Sequence, residues 1–533
     1  MMRAFAVLMA LLLAPLAHAQ RARAPVTPSR PSASGPAPTL VVFLTVDQMR
    51  GEYIDRFRGQ LSGGLSRLAR GGAVFTNAHQ DHAVTETAPG HASTMSGRFP
   101  SSTGISRNSA GVQDPQSPLL DGAPGPGASP FRFRGGTLID WLRIRDPRSR
   151  ALSVSRKDRG AILPLGRAHQ SAFWYAPDGR FTTSRYYADT LPAWVRAFND
   201  RHLPQRFAGT AWTLSLADSA YHEPDSVGIE SGGTDVVFPH RMPADSAQAA
   251  RILPEYPFMD EVTLALALAG LRQLGLGAGP QTDILAISLS TTDAIGHRYG
   301  PDSRELHDQI IRLDRMLGAF FDSLYVARDS SKIVVALTAD HGVAPFPELY
   351  QARTHRRAEH VDASDLLHLA RAHLVERGMD STALSFEDGM LFVRRESFAA
   401  SGVDPAGVIG PFIAALRQRP SVMRVDRVRD LARDSARNPI SRRWLHMLSA
   451  DLPVEYVATL TPYSVWGKVT YAEHGTPHDY DTHVPVIFYG PPFRAGRYPE
   501  FARVVDMAPT LAWVVHVTPT DRLDGHVLRA AIR

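Results

Sequence analysis

Six acidic and imidazole side chains stand out by where they fall in the chain. Asp47 closes the apolar run TLVVFLTVD (39–47). Asp293 and His297 lie four residues apart in DAIGHRYGP (293–301), Asp340 and His341 are adjacent in DHGV (340–343), and His474 precedes the apolar run HVPVIFYGP (483–491). Mixed imidazole and carboxylate donors suit zinc or a similar divalent ion. The chain contains no cysteine, so any metal must be held by His, Asp, Glu and hydroxyl oxygens. Six protein ligands are too many for one open catalytic zinc. Two metals fit better, and a metal pair clamps the attacking and leaving oxygens of phosphoryl transfer.

A hydroxyl with nucleophilic prospects lies in TETAPGHAS (85–93). Thr87 stands just before a proline-opened helix start, where Pro89 is acceptable because its missing N–H is not needed. The free N–H groups and the dipole of a helix N-terminus favour an anion there. A metal on the Thr87 oxygen would make it an alkoxide nucleophile. Thr85 is the rival hydroxyl, farther from the helix start.

These residues need elements to hold them. TLVVFLTVD, TDILAISLSTTD (282–293) and KIVVALTAD (332–340) are continuous apolar runs ending in aspartate, and HVPVIFYGP is a fourth strand candidate. Unbroken apolar runs mark strands buried on both faces of a parallel sheet. Amphipathic helical stretches, such as 259–275 and 302–326, lie between them. The alternation predicts an α/β fold, a doubly wound, mostly parallel sheet with helices on both faces. Ligands of such sheets sit outside the carboxyl ends of the strands, so Asp47, Asp293 and Asp340 should converge. Residues 108–255 and 343–470, rich in Pro, Gly, Arg and aromatics, break the alternation. They are expected to be cap insertions in one catalytic domain spanning 39–533.

The first 19 residues carry Arg3, a short apolar stretch and an AHA cleavage site before Gln20, the pattern of a secretory signal peptide. Residues 20–38 follow as a Pro/Ala/Ser-rich linker, expected to be disordered. A periplasmic or secreted protein is predicted, with no membrane span. The net charge of +5 over 533 residues, without a dense basic run interleaved with aromatics, argues against nucleic-acid binding.

In order and spacing these motifs resemble the alkaline phosphatase superfamily, over most of the chain beyond the linker. TAPGH looks like the T-x-P-x-H nucleophile motif of its phosphatase and phosphodiesterase branches. The resemblance implies two zinc ions and a nucleophilic Thr87. One metal would take Asp293, His297 and His474; the other would take Asp47, Asp340, His341 and Thr87. It points to His474 rather than His478 or His483, which are left as supporting or surface groups. His91 is expected to be a packed helix histidine, with a supporting contact to the site as the alternative, and His79 and His82 to be structural.

SVSRKDRGAI (153–162) bears on the branch. Only three of the 58 basic residues are lysines, so Lys157 is conspicuous. If 153–159 is extended, Lys157 and Arg159 project to one face and could grip the dianion of a phosphate monoester. The stretch resembles the K-x-R of the phosphate-irrepressible alkaline phosphatases, which also carry an asparagine shortly after the nucleophile helix; Asn108 fits that place. The implied function is hydrolysis of small phosphate monoesters through a phosphothreonine. The alternative is the nucleotide pyrophosphatase/phosphodiesterase branch, which shares the metal ligands and the threonine. The sulfatase pattern ranks low without cysteine, and a non-catalytic binding protein would need a broken ligand set.

Overall fold

Seven buried residues, Leu40–Val46, form β1 at the middle of a nine-stranded sheet. The computed structural model describes residues 35–468 and 471–533. The expected signal peptide, and the linker up to residue 34, lie outside the described residues. The last linker residue is fixed to the sheet, because the Thr282 hydroxyl donates to the Pro38 carbonyl at 2.6 Å.

The remaining sheet strands are β2 (Ala73–His79), β3 (Ala151–Ser155), β4 (Ser171–Tyr175), β5 (Phe181–Thr182), β6 (Asp283–Leu289), β7 (Ile333–Thr338), β8 (Val486–Tyr489) and β9 (Gly496–Arg503). Their order across the sheet is β9-β2-β8-β7-β1-β6-β3-β4-β5. β1 pairs in parallel with β6 and β7, and β3 with β6 and β4. All residues of β1, β6 and β7 are buried, which accounts for their unbroken apolar sequences: helices cover both faces. One of these helices, Arg304–Ala327, is capped by the Ser303 hydroxyl on the Leu306 N–H and buries Leu306, Ile310, Leu313, Leu317, Phe321 and Leu324 as one stripe.

The fold is therefore the mostly parallel α/β sheet expected, with two strands reversed. β5 is antiparallel to β4, and β8 is antiparallel to both β7 and β2. The reversal of β8 has a positional effect. Its amino end lies at the edge where its neighbours have their carboxyl ends, so the loop carrying His474 arrives beside Asp47 and Asp340.

Residues 108–255, expected as a cap insertion, also supply β3, β4 and β5. The serines in ALSVS and the shortness of these strands hide them from an apolar-run reading. Residues 343–470 build a second, four-stranded antiparallel sheet, ordered Leu384–Glu387, Met390–Val393, Val454–Leu460, Val422–Arg427. Helices Ser364–Glu376 and Pro405–Arg417 pack on it around Leu374, Leu391, Phe412 and Leu416. Its first hairpin turns through Asp388 and Gly389, both left-handed (φ 51° and 77°), as a two-residue turn requires.

Candidate active site

Thr87 is the first residue of the helix Thr87–Thr94, and extended Glu86 occupies the N-cap position. Gly90 lets this helix lie directly on the loop after β7: a Cβ there would stand 2.3 Å from the Asp340 carbonyl oxygen and 2.6 Å from its Cβ. One turn on, fully buried His91 places Nδ1 3.0 Å from the Thr87 carbonyl and 3.0 Å from Asp340 Oδ2, with Nε2 2.8 Å from Ser288 Oγ. His91 is thus more than a packing residue. It joins the Thr87–Thr94 helix to Asp340.

Asp47 immediately follows β1, and the next residue, Gln48, has φ 67°. That left-handed backbone costs a non-glycine residue roughly 1–2 kcal/mol. It aims the Gln48 N–H at Asp340 Oδ1 (3.1 Å) and its side-chain Nε2 at Asp293 Oδ1 (3.2 Å). Gly296, on the helix Thr291–Tyr299 that carries Asp293 and His297, leaves room for this amide. A Cβ at Gly296 would fall 1.8 Å from Gln48 Oε1. The sequence reading passed over Gln48; its left-handed conformation is a tertiary property with no local signal.

Donor atoms converge in two groups, Asp293–His297–His474 and Asp47–Asp293–His341, each within 4.8 Å. His297 Nε2 lies 3.4 Å and His474 Nε2 3.9 Å from Asp293 Oδ1; His341 Nε2 lies 3.5 Å from Asp47 Oδ1. All three imidazoles point the same way round. Nδ1 of His297 donates to the Ala472 carbonyl (2.7 Å), that of His474 to the Thr85 carbonyl (2.7 Å), and that of His341 to the Gly342 carbonyl (2.9 Å). A carbonyl can only accept, so Nδ1 carries a proton in each, and Nε2 is the nitrogen left to a metal once the ring is neutral.

Asp340 belongs to neither of these two groups. Its Oδ1 accepts from the N–H groups of Gln48 and His341, both at 3.1 Å, and only Oδ2 faces His341 Nε2, at 3.7 Å. Asp293 stands in both groups. Asp47 Oδ1 and His341 Nε2 are buried and without a hydrogen-bond partner, an arrangement costly unless a cation lies between them. The donor set therefore fits divalent ions.

The packed charges shift these groups in different directions. Burial and the carboxylates of Asp293 and Asp340 push Asp47 up to about 6. Burial would also raise Asp293, but the Lys157 ammonium and His297 beside it hold it well below the usual carboxylate range. Burial works against a charged His297, yet Asp293 lifts it to about 9. Burial, with His341 and His297 nearby, keeps His474 well below the usual imidazole value.

Lys157 reaches the centre. Its Nζ lies 3.1 Å from Thr87 Oγ1 and 2.7 Å from both Asp47 Oδ2 and Asp293 Oδ2. It does so by a different route from the extended one expected. β3 stops at Ser155, Lys157 is the N-cap residue of a short helix, Asp158–Ile162, and Arg159 lies in its first turn, 3.6 Å from Asp158. Lys157 and Arg159 are therefore not alternate residues of one strand. Arg156, which the sequence reading did not single out, contacts Asp293 Oδ2 at 3.2 Å and the Ser290 carbonyl at 3.1 Å. Asn108 accepts the Ala88 N–H on Oδ1 at 2.9 Å, and its own N–H donates to Glu86 Oε2 at 2.6 Å.

The other hydroxyl and histidines are employed elsewhere. The Thr85 hydroxyl donates to the Thr476 carbonyl (2.9 Å), bracing the His474 loop. His478 Nε2 pairs with the Leu460 carbonyl and His483 Nε2 with the Thr76 carbonyl. His79 sits between Thr482 and Asn77. Buried His82 has no hydrogen-bond partner on either nitrogen.

A mostly parallel α/β sheet that gathers Asp and His at its strand ends beside a helix-opening threonine is the architecture of the alkaline phosphatase superfamily. Within it, the chain belongs to the type I phosphodiesterase / nucleotide pyrophosphatase family, whose model matches residues 41–390. It is similar to alkaline phosphatase PafA of Elizabethkingia meningoseptica, 29% identical over 509 residues that cover 90% of this chain and 92% of the relative. It is also similar to alkaline phosphatase PhoK of a Sphingomonas species, 30% identical over 521 residues, 92% of this chain and 91% of the relative. The crystal structure of wild-type PafA superposes with a TM-score of 0.86 at 27% identity, covering 94% of this chain and 100% of that one. Murine ectonucleotide pyrophosphatase/phosphodiesterase 5, with a TM-score of 0.51 at 13% identity, shares the fold.

Proposed function

We propose that the protein is an exported, metal-dependent phosphatase that hydrolyses small phosphate monoesters through a phosphothreonine on Thr87. The observation that carries this reading is the Lys157 ammonium, 3.1 Å from the Thr87 hydroxyl. A cation at the nucleophile favours the dianion of a monoester over the single charge of a diester. The names of the full-length relatives, alkaline phosphatases PafA and PhoK, support the same reading.

Asp293, His297 and His474 would hold one divalent ion, and Asp47, Asp340, His341 and Thr87 the other; zinc is the expected metal. Bound there, the ions would supply Lewis-acid stabilisation of negative charge. Thr87 Oγ1 attacks phosphorus as the ester P–O bond breaks and the alcohol leaves. Water then cleaves the phosphothreonine, releasing inorganic phosphate and restoring Thr87. The Asn108 amide holds a non-bridging oxygen, and Lys157 holds another by turning from Asp47 and Asp293, whose carboxylates would then serve the ions. Arg159 joins them by turning from Asp158, its planar fork suiting two oxygens at once.

The family to which the chain belongs favours a second reading, phosphodiester hydrolysis on the same residues. Rates on para-nitrophenyl phosphate and methyl para-nitrophenyl phosphate, with metal content measured on the same sample, separate the two. A higher kcat/KM for the monoester supports the phosphatase, and a higher value for the diester puts the phosphodiesterase first. No turnover of either by metal-loaded protein would leave a binding protein. Among the described residues no helix is long and apolar enough to cross a membrane. The expected signal peptide supports a periplasmic or secreted location.

A further inference from the structure

One carboxylate from the inserted sheet grips both neighbours of Asn108. Glu387 Oε2 lies 2.8 Å from Arg107 Nε, and Glu387 Oε1 accepts from the Ser109 hydroxyl at 2.6 Å. Arg107 Nε also reaches Ser109 Oγ at 2.9 Å, and its guanidinium lies 4.5 Å from the ring centre of Phe392 on the following strand. Glu387 is the last residue before the Asp388–Gly389 turn, so the hairpin tip itself makes the contact.

Asn108 needs such support. It begins a three-residue turn, Asn108–Ala110, none of whose residues is buried. A single 3₁₀ turn has little intrinsic stability and holds its shape through its contacts. On the site side, the Asn108 N–H is tied to Glu86. On the far side, the charged hydrogen bonds to Glu387 complete the grip.

We infer that Glu387 is a positioning residue: it locks the Arg107–Asn108–Ser109 turn against the inserted sheet so that the Asn108 amide is presented beside Thr87. The inserted region is then a working part of the phosphate site. The inference rests on the phosphate-binding role given to Asn108 above. Because the Glu387 side chain is 42% exposed, its ion pair adds little to global stability. Its loss should appear in rate and not in melting temperature.

The test compares Glu387→Ala, Glu387→Gln, Ser109→Ala, Asn108→Ala and the Glu387→Ala/Asn108→Ala double variant, all metal-loaded, on the monoester and diester above. Glu387→Ala should lower monoester kcat/KM about five- to tenfold and diester kcat/KM less than about twofold, with melting unchanged. Glu387→Gln, which can still accept from Ser109, should recover part of the loss. Ser109→Ala, which removes one arm without removing a charge, should show a smaller change in the same direction. In the Asn108→Ala background, Glu387→Ala should have no further effect, since it acts through Asn108. Multiplying losses in the double variant would overturn the inference. So would unchanged monoester turnover in Glu387→Ala alongside a clear loss in Asn108→Ala. If Asn108→Ala itself keeps full monoester turnover, the phosphate-site reading fails first, and this inference with it.

Discussion

The Lys157 ammonium spends its three hydrogens on Thr87 and on the carboxylates of Asp47 and Asp293, at 3.1, 2.7 and 2.7 Å. It ties the Thr87 hydroxyl to both donor groups. Lys157→Ala is expected to lower monoester kcat/KM by about tenfold to a hundredfold, the worth of one charge-assisted hydrogen bond. Diester turnover should fall much less, and Arg159→Ala should act in the same direction. Equal losses on the two substrates would show that the pair is no monoester clamp.

Thr87→Ala should lose several orders of magnitude in turnover while the protein stays folded and binds metal. Glu86 holds the N-cap position, so the Thr87 hydroxyl is free of a capping duty whose loss would cost about 1 kcal/mol. A lowered melting temperature with turnover intact would assign it that duty after all. Thr85→Ala should show a much smaller kinetic effect, entering through the His474 loop that its hydroxyl braces.

Purified active protein should carry about two divalent ions per chain, and prolonged chelation should abolish turnover and lower the melting temperature. His341→Ala or Asp293→Ala should remove most activity together with metal. Less than about one ion per chain in fully active protein would contradict the two-metal reading.

Gly296→Ala would press a methyl group onto the Gln48 amide, displacing it from Asp293. Weaker metal retention is expected, by roughly the tenfold to hundredfold typical of lost support to a ligand. Dialysis against a graded chelator series reads this out, and unchanged retention would show that Gln48 does not orient Asp293.

Glu230 offers a pH test away from the site. It is 3% exposed, its Oε2 has no partner, and burial, with Glu305 and Asp225 nearby, raises it to about 9. Between its ordinary value of 4.5 and about 9 the folded state keeps a proton that the unfolded chain has lost. Stability should therefore fall as pH rises through that window. Glu230→Gln should flatten that part of the profile and melt higher than the parent at pH near 8. A variant with the parent's pH dependence would rule out Glu230 as its source.

The central strands are legible in the sequence because β1, β6 and β7 are buried on both faces and need no alternation. The aspartates after them are legible for the same reason, standing where an apolar run abruptly meets charge. The direction of β8 is not, since an apolar run looks alike read either way; pairing with β2 and β7 decides it. The period-two reading of Lys157 and Arg159 fails because β3 ends at Ser155. Asp158 was the available sign of a helix start, an acidic residue in a first turn. The shared position of Asp293, the turn at Gln48 and the contact of His91 with Asp340 arise from segments hundreds of residues apart and leave no local trace.

The reversed strand β8 also sets a timetable. It lies between β2 and β7, and the loop before it brings His474 to donors that begin at Asp47. A ribosome makes the chain from the other end, so until β8 emerges the sheet has a gap, and until His474 emerges the proposed metal site is one donor short. Hydrolytic power therefore waits on β8, and a polypeptide cut short before that strand should be inert however well its first half folds.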